Sequence, residues 1–298
     1  MPGALENRAR LACLYAGAVW GLFWIPLRKL EGAGLHDLWI TTIYFLVPAL
    51  CALPVLCLRW RAVRQGGLSL QLTALTGGAA LTFYSTSIIY TEVVRALMLY
   101  SLMPIWSTLL ARMFLHERIT LIHVFAMMLA ALGILTLFGL GMGPPVPRNA
   151  GDWMGLASGI FWAITMVRVR MHGNHSAMEL TTGFFLWGLA LSLGVALALA
   201  PGWEPSFAQA GPVLPLLVAF VLFLLIPGTY ASFWGPKFLN PGIVGLLLMT
   251  EIVVGTITAA LFAGEPFGVR ELVGVTLITG ACLLEPLASV LRRNPAPA

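Results

Sequence analysis

The feature that most limits what this chain can fold into is the length of its charge-free runs. Residues 11–27, 38–58, 65–91, 96–111, 119–147, 153–167, 180–203 and 205–236 contain no Asp, Glu, Lys or Arg. A bilayer core takes about 20 apolar residues per helix, and most of these runs reach or approach that length once flanking residues are added. Two further runs, about 241–263 and 270–291, fit the same span with Glu251 and Glu285 inside them. Only 10% of the 298 residues are charged, against roughly 25% in soluble domains. So little charge cannot cover a water-soluble surface, which makes lipid the solvent for most of the exterior. In lipid the backbone must satisfy its own polar groups, so the chain is either helical or a closed barrel. Barrel strands alternate apolar and polar over about ten residues; these runs do not alternate. The expectation is an all-α integral membrane protein of ten transmembrane helices.

Basic residues cluster between the runs, and their distribution sets an orientation. With the N-terminus inside, the cytoplasmic segments carry 12 (Arg8, Arg10, Arg59, Arg61, Arg64, Arg112, Arg118, Arg168, Arg170, Lys237, Arg292, Arg293) and the outer segments 5 (Arg28, Lys29, Arg95, Arg148, Arg270). Both termini are therefore expected in the cytoplasm, with Arg112, Arg168 and Arg170 snorkelling to the interface. The first run has no small-residue cleavage site before Arg28 and reads as a retained helix. Cys13, Cys51, Cys57 and Cys282 lie within apolar runs without CxxC spacing and read as small buried hydrophobes. No basic patch with interleaved aromatics suggests nucleic acid.

The Pro-rich connection Met142 to Asp152 divides the chain into 1–145 and 146–298, with five expected spans in each. Gly17, Trp20, Arg28 and Asp37 match Gly159, Trp162, Arg170 and Glu179 at a constant offset of 142, and Glu117 matches Glu265 at 148. An odd number of spans per half turns the second copy upside down. Inverted repeats of this kind are typical of secondary transporters, which bind substrate near the midplane where the halves meet.

Three segments carry a family resemblance. AVWGLFWIPLRK at 18–29 resembles the Trp-Gly opening helix of the drug/metabolite transporter superfamily, in its EamA-type ten-helix branch. LHERIT at 115–120 and AGEPF at 263–267 resemble that family's Gly-Glu endings of the fourth and ninth helices. The chain departs from the pattern where His116 replaces the Gly before Glu117 and where Ile252 follows Glu251 in place of Pro. The resemblance implies a central cavity between helices 1–4 and 6–9, with helices 5 and 10 peripheral. In aromatic richness the chain is most similar to bacterial aromatic amino-acid exporters of the inner membrane.

Candidate substrate-binding residues follow from side-chain chemistry. Trp39, Trp60, Trp153 and Trp203 fall at span ends, as an interfacial belt does. Trp20, Trp24, Trp106, Trp162 and Trp187 fall inside spans, where an indole N–H needs a partner that lipid does not supply. Trp20 and Trp24, four apart, share a helix face with Gly17 and Arg28. Tyr44, Tyr84, Tyr100 and Tyr230 join this set as further rings with a polar tip, Tyr84 and Tyr230 at similar places in the two halves. Glu251, mid-span, costs at least ~2.5 kcal/mol to place there as a charge, so it is a functional candidate, with a hydrogen-bonded or Lys237- or His123-paired carboxyl as the bland alternative. Pro104, Pro227 and Gly228 interrupt their helices and are hinge candidates. Glu117 and Glu265, at helix ends, read as topology or gating residues. Small residues in the fifth helix (Ala126, Ala130, Ala131, Gly133) and the tenth (Gly274, Gly280, Ala281) suit close helix contact and allow a homodimer there.

An embedded enzyme would need a nucleophile with its base, or a metal cluster; HExxH, GxSxG and P-loop motifs are missing, and His172 and His175 read as a solvated turn. No metal or cofactor is expected. A phosphorylated or nucleotide-sugar cargo would want Lys or Arg at mid-depth, which the sequence lacks. The reading is a secondary transporter exporting aromatic amino acids, the alternatives being a carrier for other drug-like cations or metabolites, or a channel-like facilitator.

Overall fold

The computed structural model describes residues 2–139, 146–264 and 266–293. Helices α1 (Pro2–Gly21), α2 (Trp24–Gly32), α3 (Asp37–Leu58), α4 (Trp60–Tyr90), α5 (Val93–Tyr100), α6 (Met103–Phe114) and α7 (Leu121–Ile134) are followed by α8 (Ala150–Met171) and α9 (Ala177–Leu199). The chain continues through α10 (Phe207–Ala210), α11 (Leu214–Phe220), α12 (Ile226–Trp234), α13 (Pro241–Leu248), α14 (Thr250–Ala263) and α15 (Val269–Arg293). Among the described residues there is no β-strand. Among them, too, seven helical segments are long and apolar enough to cross a membrane, and Leu121–Leu137 forms a shorter apolar helix. Helix α8 is diluted by Asp152, Arg168 and Arg170.

Local chemistry starts these helices where the sequence supplies a cap. His36 Nδ1 accepts from Leu38 N, Ser176 Oγ from Met178 N, Asn149 Oδ1 from Asp152 N and Asn240 Oδ1 from Gly242 N. Five long apolar segments are broken or kinked inside, α4 among them at Gly67, whose φ of 55° takes it out of the helix. The first breaks between Gly21 and Trp24, so Trp20 and Trp24 flank a bend and do not share one continuous helix face. The fourth breaks at Ser101–Leu102, just before Pro104, and the segment Phe207–Lys237 passes through a π-helical stretch at Val221–Leu225 before Pro227. The ninth breaks at Met249, with no proline at the break.

Helix α4 packs on α8 and α9, α3 on α9, α1 on α12, α13 and α14, and α5 and α6 on α8. A large core of Phe45, Phe184, Phe185, Phe233, Leu180 and Leu225 is fully buried at their centre. Helices α7 and α15 pack on each other at one side. A Cβ on Gly133 would lie 2.9 Å from Gly274 O, so these small residues are used within the chain. Phe125, Met128 and Leu132 of α7 point outward and are exposed.

Arg168, in the last turn of α8, donates to Thr73 Oγ1 and Ser69 O, and Arg170 to Lys237 O. Several sequence expectations need correction. His175 is buried and bonds Ser69 Oγ at 3.1 Å instead of sitting in a solvated turn. Trp39 is buried with its indole N–H on Ala200 O, unlike the exposed Trp60, Trp153 and Trp203. Cys57 is exposed, while Cys13 and Cys282 are buried. Glu265 and Met142–Pro145 lie outside the described residues.

Candidate functional site

The helix breaks deliver side chains to one central cavity. Trp20 ends α1, Tyr84 comes from α4, Tyr100 ends α5, Trp162 sits mid-α8, Phe184 on α9, and Leu248 and Glu251 bracket the Met249 break. The space open to the centre of a water molecule is about 30 Å³, enough for roughly two waters.

Its wall is a cluster of edge-on rings. The Trp20 centroid lies 6.4 Å from Trp162 and 6.2 Å from Phe184, at interplanar angles of 71° and 80°. Trp162 and Phe184 are 6.2 Å apart, and Tyr84 and Tyr100 are 5.0 Å apart. Edge-to-face pairs at such separations are worth ~0.5–1.5 kcal/mol each beyond burial. Trp20 is fixed further by its Nε1–H, which donates to Ser232 Oγ at 3.2 Å, while that hydroxyl donates to Gly228 O. Gly228 is needed for the fit: a Cβ there would lie 2.7 Å from Val19 Cγ1 on α1.

Glu251 is the polar contribution. Among the described residues its carboxyl has no hydrogen-bond or ion-pair partner on the protein. Lys237 Nζ donates instead to His175 O, and His123 Nε2 pairs with Thr108 Oγ1 at 2.8 Å. The break at Met249 places Glu251 in the first turn of α14, where the helix dipole favours a negative charge.

The cavity therefore unites Trp20, Tyr84, Tyr100, Trp162 and Glu251 from the sequence-derived set. The others lie elsewhere. Trp24 donates to Thr258 Oγ1 at 3.1 Å with the Arg28 guanidinium 5.9 Å from its ring centroid. Tyr44 is buried behind the cavity against Phe23, at 4.6 Å, and its hydroxyl has no partner in the described structure. Trp187 donates to Gln71 Oε1 at 2.8 Å, tying α9 to α4. Tyr230 is exposed, unlike its expected counterpart Tyr84. Pro104 packs under Gly245 of α13, whose added Cβ would lie 2.9 Å from the Pro104 Cα. Phe23 and Phe184 were missed; neither carries a polar group to single it out from other core phenylalanines.

Polar ties hold the two ends of this bundle. At one end Asp152, fully buried, accepts from Arg95 Nε and Nη2, Thr91 Oγ1 and Arg148 N. At the other, Arg59 Nε and Nη2 both donate to Glu179 Oε1, and Arg170 lies 3.8 Å from Glu117. The sequence gives each of these residues but not the pairings, which join segments far apart in the chain.

A bundle of apolar helices, with a ring-lined cavity and the Glu251 carboxyl at its broken helices, defines an integral membrane protein with an internal cavity. The chain belongs to the EamA-like transporter family, whose model matches residues 7–139 and 149–284; members of that family move small molecules across membranes. No curated protein matches the sequence. A crystal structure of a protein with 17% identity superposes with a TM-score of 0.78 over 97% of this chain and 99% of the other, a likeness of fold alone.

Proposed function

We propose that this transporter exports aromatic amino acids from the bacterial cytoplasm by alternating access. Its fold is then ten transmembrane helices arranged as two inverted five-helix repeats, 1–145 and 146–298, with both termini cytoplasmic. The observation that carries the reading is the cavity itself: Trp20 and Trp162 meet across it, and Glu251 enters it unpaired. Rings at edge-on distance suit a flat apolar side chain, and a free carboxylate suits an amino group.

The repeat is supported by the register of the helices. Helices α5 (93–100) and α13 (241–248) begin and end 148 residues apart, as do the bounds of His116 and Gly264, both with positive φ. Gly17 packs on Leu248 O with a Cβ distance of 2.7 Å, and its partner Gly159 packs on Tyr100 O with the same distance. Leu248 and Tyr100 are themselves 148 apart.

The present cavity has room for about two waters and not for an indole, so cargo enters a more open arrangement. The breaks before Pro104, Pro227 and Gly228, and at Met249, are where rigid half-helices can reorient. A homodimer would use the outward face of α7, since Gly133 and Gly274 already meet within the chain.

Purified protein in proteoliposomes should move labelled Phe or Trp saturably, with unlabelled aromatic amino acid competing. Glu251→Gln should weaken binding by about 10- to 100-fold, the loss of a hydrogen bond to a charged group worth ~1.5–3 kcal/mol, while leaving folding intact because no protein group bonds it. No saturable movement across an amino-acid panel would overturn the cargo. Transport of organic cations alone would favour the wider drug-like reading.

A further inference from the structure

A second cavity lies apart from the aromatic one, against the outer side of the same broken helices. It offers about 110 Å³ to a water-sized centre and is walled by Met98, Ser101 and Pro104 of the α5–α6 segment, Met127 and Ala131 of α7, and Met249 of the α13–α14 junction. That is the scale of the ~150 Å³ apolar cavity known to stay dry and to take benzene. Three flexible thioethers in its wall can yield to an irregular guest. Two more lining residues, Ile105 and Leu135, are also exposed at the protein surface, at 39% and 41%. Ile105 belongs to a helix long and apolar enough to cross a membrane and Leu135 to the shorter apolar helix beside it, so the cavity opens toward lipid.

One polar group interrupts this apolar wall. Ser101 is 5% exposed, and its hydroxyl has no hydrogen-bond partner among the described residues. A buried hydroxyl left unpaired costs about 1–3 kcal/mol. A serine inside a helix usually returns its proton to the carbonyl four residues back, as Thr82 does to Gly78 O. Ser101 sits at the α5–α6 break, and it does not do this. An apolar acyl chain would leave it unpaired; a guest with one hydrogen-bonding atom would not.

We infer that this cavity is a binding site for a small uncharged amphiphile dissolved in the bilayer: an apolar, ring-sized body with one hydroxyl or carbonyl that bonds Ser101. The site is separate from the transport cavity, shares none of its lining residues, and does not depend on what the transporter carries.

The test uses the full-length protein in lipid nanodiscs and a diazirine-bearing phenol as probe, with labelled residues mapped by peptide mass spectrometry. Labelling should be saturable and fall on 98–105, 127–135 and Met249. Phenol should compete ~2- to 10-fold better than toluene, which has the same bulk without the hydroxyl, the ratio expected of one neutral hydrogen bond. Ser101→Ala should keep the labelling and abolish the preference for phenol. Ala131→Leu, which fills the cavity, should suppress labelling there without changing it elsewhere. Labelling spread over the outward faces of α7 in proportion to exposure, without competition, would overturn the site. Equal competition by phenol and toluene in the unmodified protein would overturn the amphiphile.

Discussion

Replacing Asp152 with alanine should be the most damaging single change outside the aromatic cavity. The carboxylate is fully buried and accepts from Arg95 Nε at 3.2 and 3.1 Å, Arg95 Nη2 at 2.5 Å, Thr91 Oγ1 at 2.6 Å and Arg148 N at 2.9 Å. Without it, Arg95, only 9% exposed, keeps among the described residues one hydrogen-bond partner, the Val146 carbonyl, and the weaker attraction of Glu92. Removing one partner of a buried ion pair costs about 3–5 kcal/mol, because the other charge stays buried and uncompensated. Asp152→Asn retains the shape but not the charge and should lose nearly as much. The double change Arg95→Met with Asp152→Leu removes both charges and should recover most of the loss, since apolar replacements of buried pairs are often neutral or better. Reversible unfolding in mixed micelles gives the four corners of this cycle. The same tie sets the cavity: Arg95 begins the helix that ends in Tyr100, and Asp152 begins the helix that carries Trp162. Loss of stability in Asp152→Ala should therefore come with weaker substrate binding. A single-mutant loss under about 1 kcal/mol, or a double mutant no better than the single, would refute the argument.

Gly17→Ala and Gly159→Ala should each destabilise by about 1–3 kcal/mol, as overpacked contacts do, because the added Cβ would sit 2.1 Å from Thr250 Oγ1 and 2.7 Å from Tyr100 O; unchanged melting in both would sink the close-packing account. His116 holds a left-handed φ of 55°, a strain of about 1–2 kcal/mol for a side-chain-bearing residue. Glycine's added chain freedom returns ~0.5–1 of that. His116→Gly should thus raise stability by up to ~1 kcal/mol, and a lower melting temperature would count against the strain. The His175 imidazole is held below its usual range by desolvation first and by His172 next, so the unfolded chain binds its proton more readily. Stability should accordingly be full above about pH 6.5 and fall as the pH drops through that value, and His175→Gln should flatten this slope; an unaltered slope would assign the acid sensitivity elsewhere.

The helices were legible because charge-free runs leave the chain no other way to satisfy its backbone in lipid. Trp20 and Trp162 were legible as rings inside spans, 142 residues apart like Gly17 and Gly159; that they meet is seen only in the fold. What the sequence concealed was rotation and breakage. Tyr84 and Tyr230 occupy similar positions, yet one lines the cavity and the other is exposed. Side-chain direction depends on how each helix turns about its axis, and in a helix apolar all round no hydrophobic stripe records that turn. Arg95 and Asp152 were visible as isolated charges; their pairing spans a connection that carries no pattern of its own.

The break at Met249 shows how a helix interrupts itself without proline. Met249 N turns to Leu246 O and Ile252 N to Met249 O, so the ladder tightens for one turn. Side chains add further bonds at the break: Thr250 Oγ1 lies within donating distance of Leu247 O and of Leu14 O on α1, and Cys282 Sγ–H of α15 donates to Leu246 O. Gly17 lets α1 approach closely enough for that contact. The consequence is local and chemical. A continuous helix would leave Glu251 in mid-helix. The break instead places it in the first turn of a new helix, at the positive end of its dipole, lining the cavity with Tyr84 and Tyr100. The glycine that the sequence repeats and the carboxylate that it places at mid-depth are thus parts of one device: the first permits the contact that sustains the break, and the break makes a site for the second.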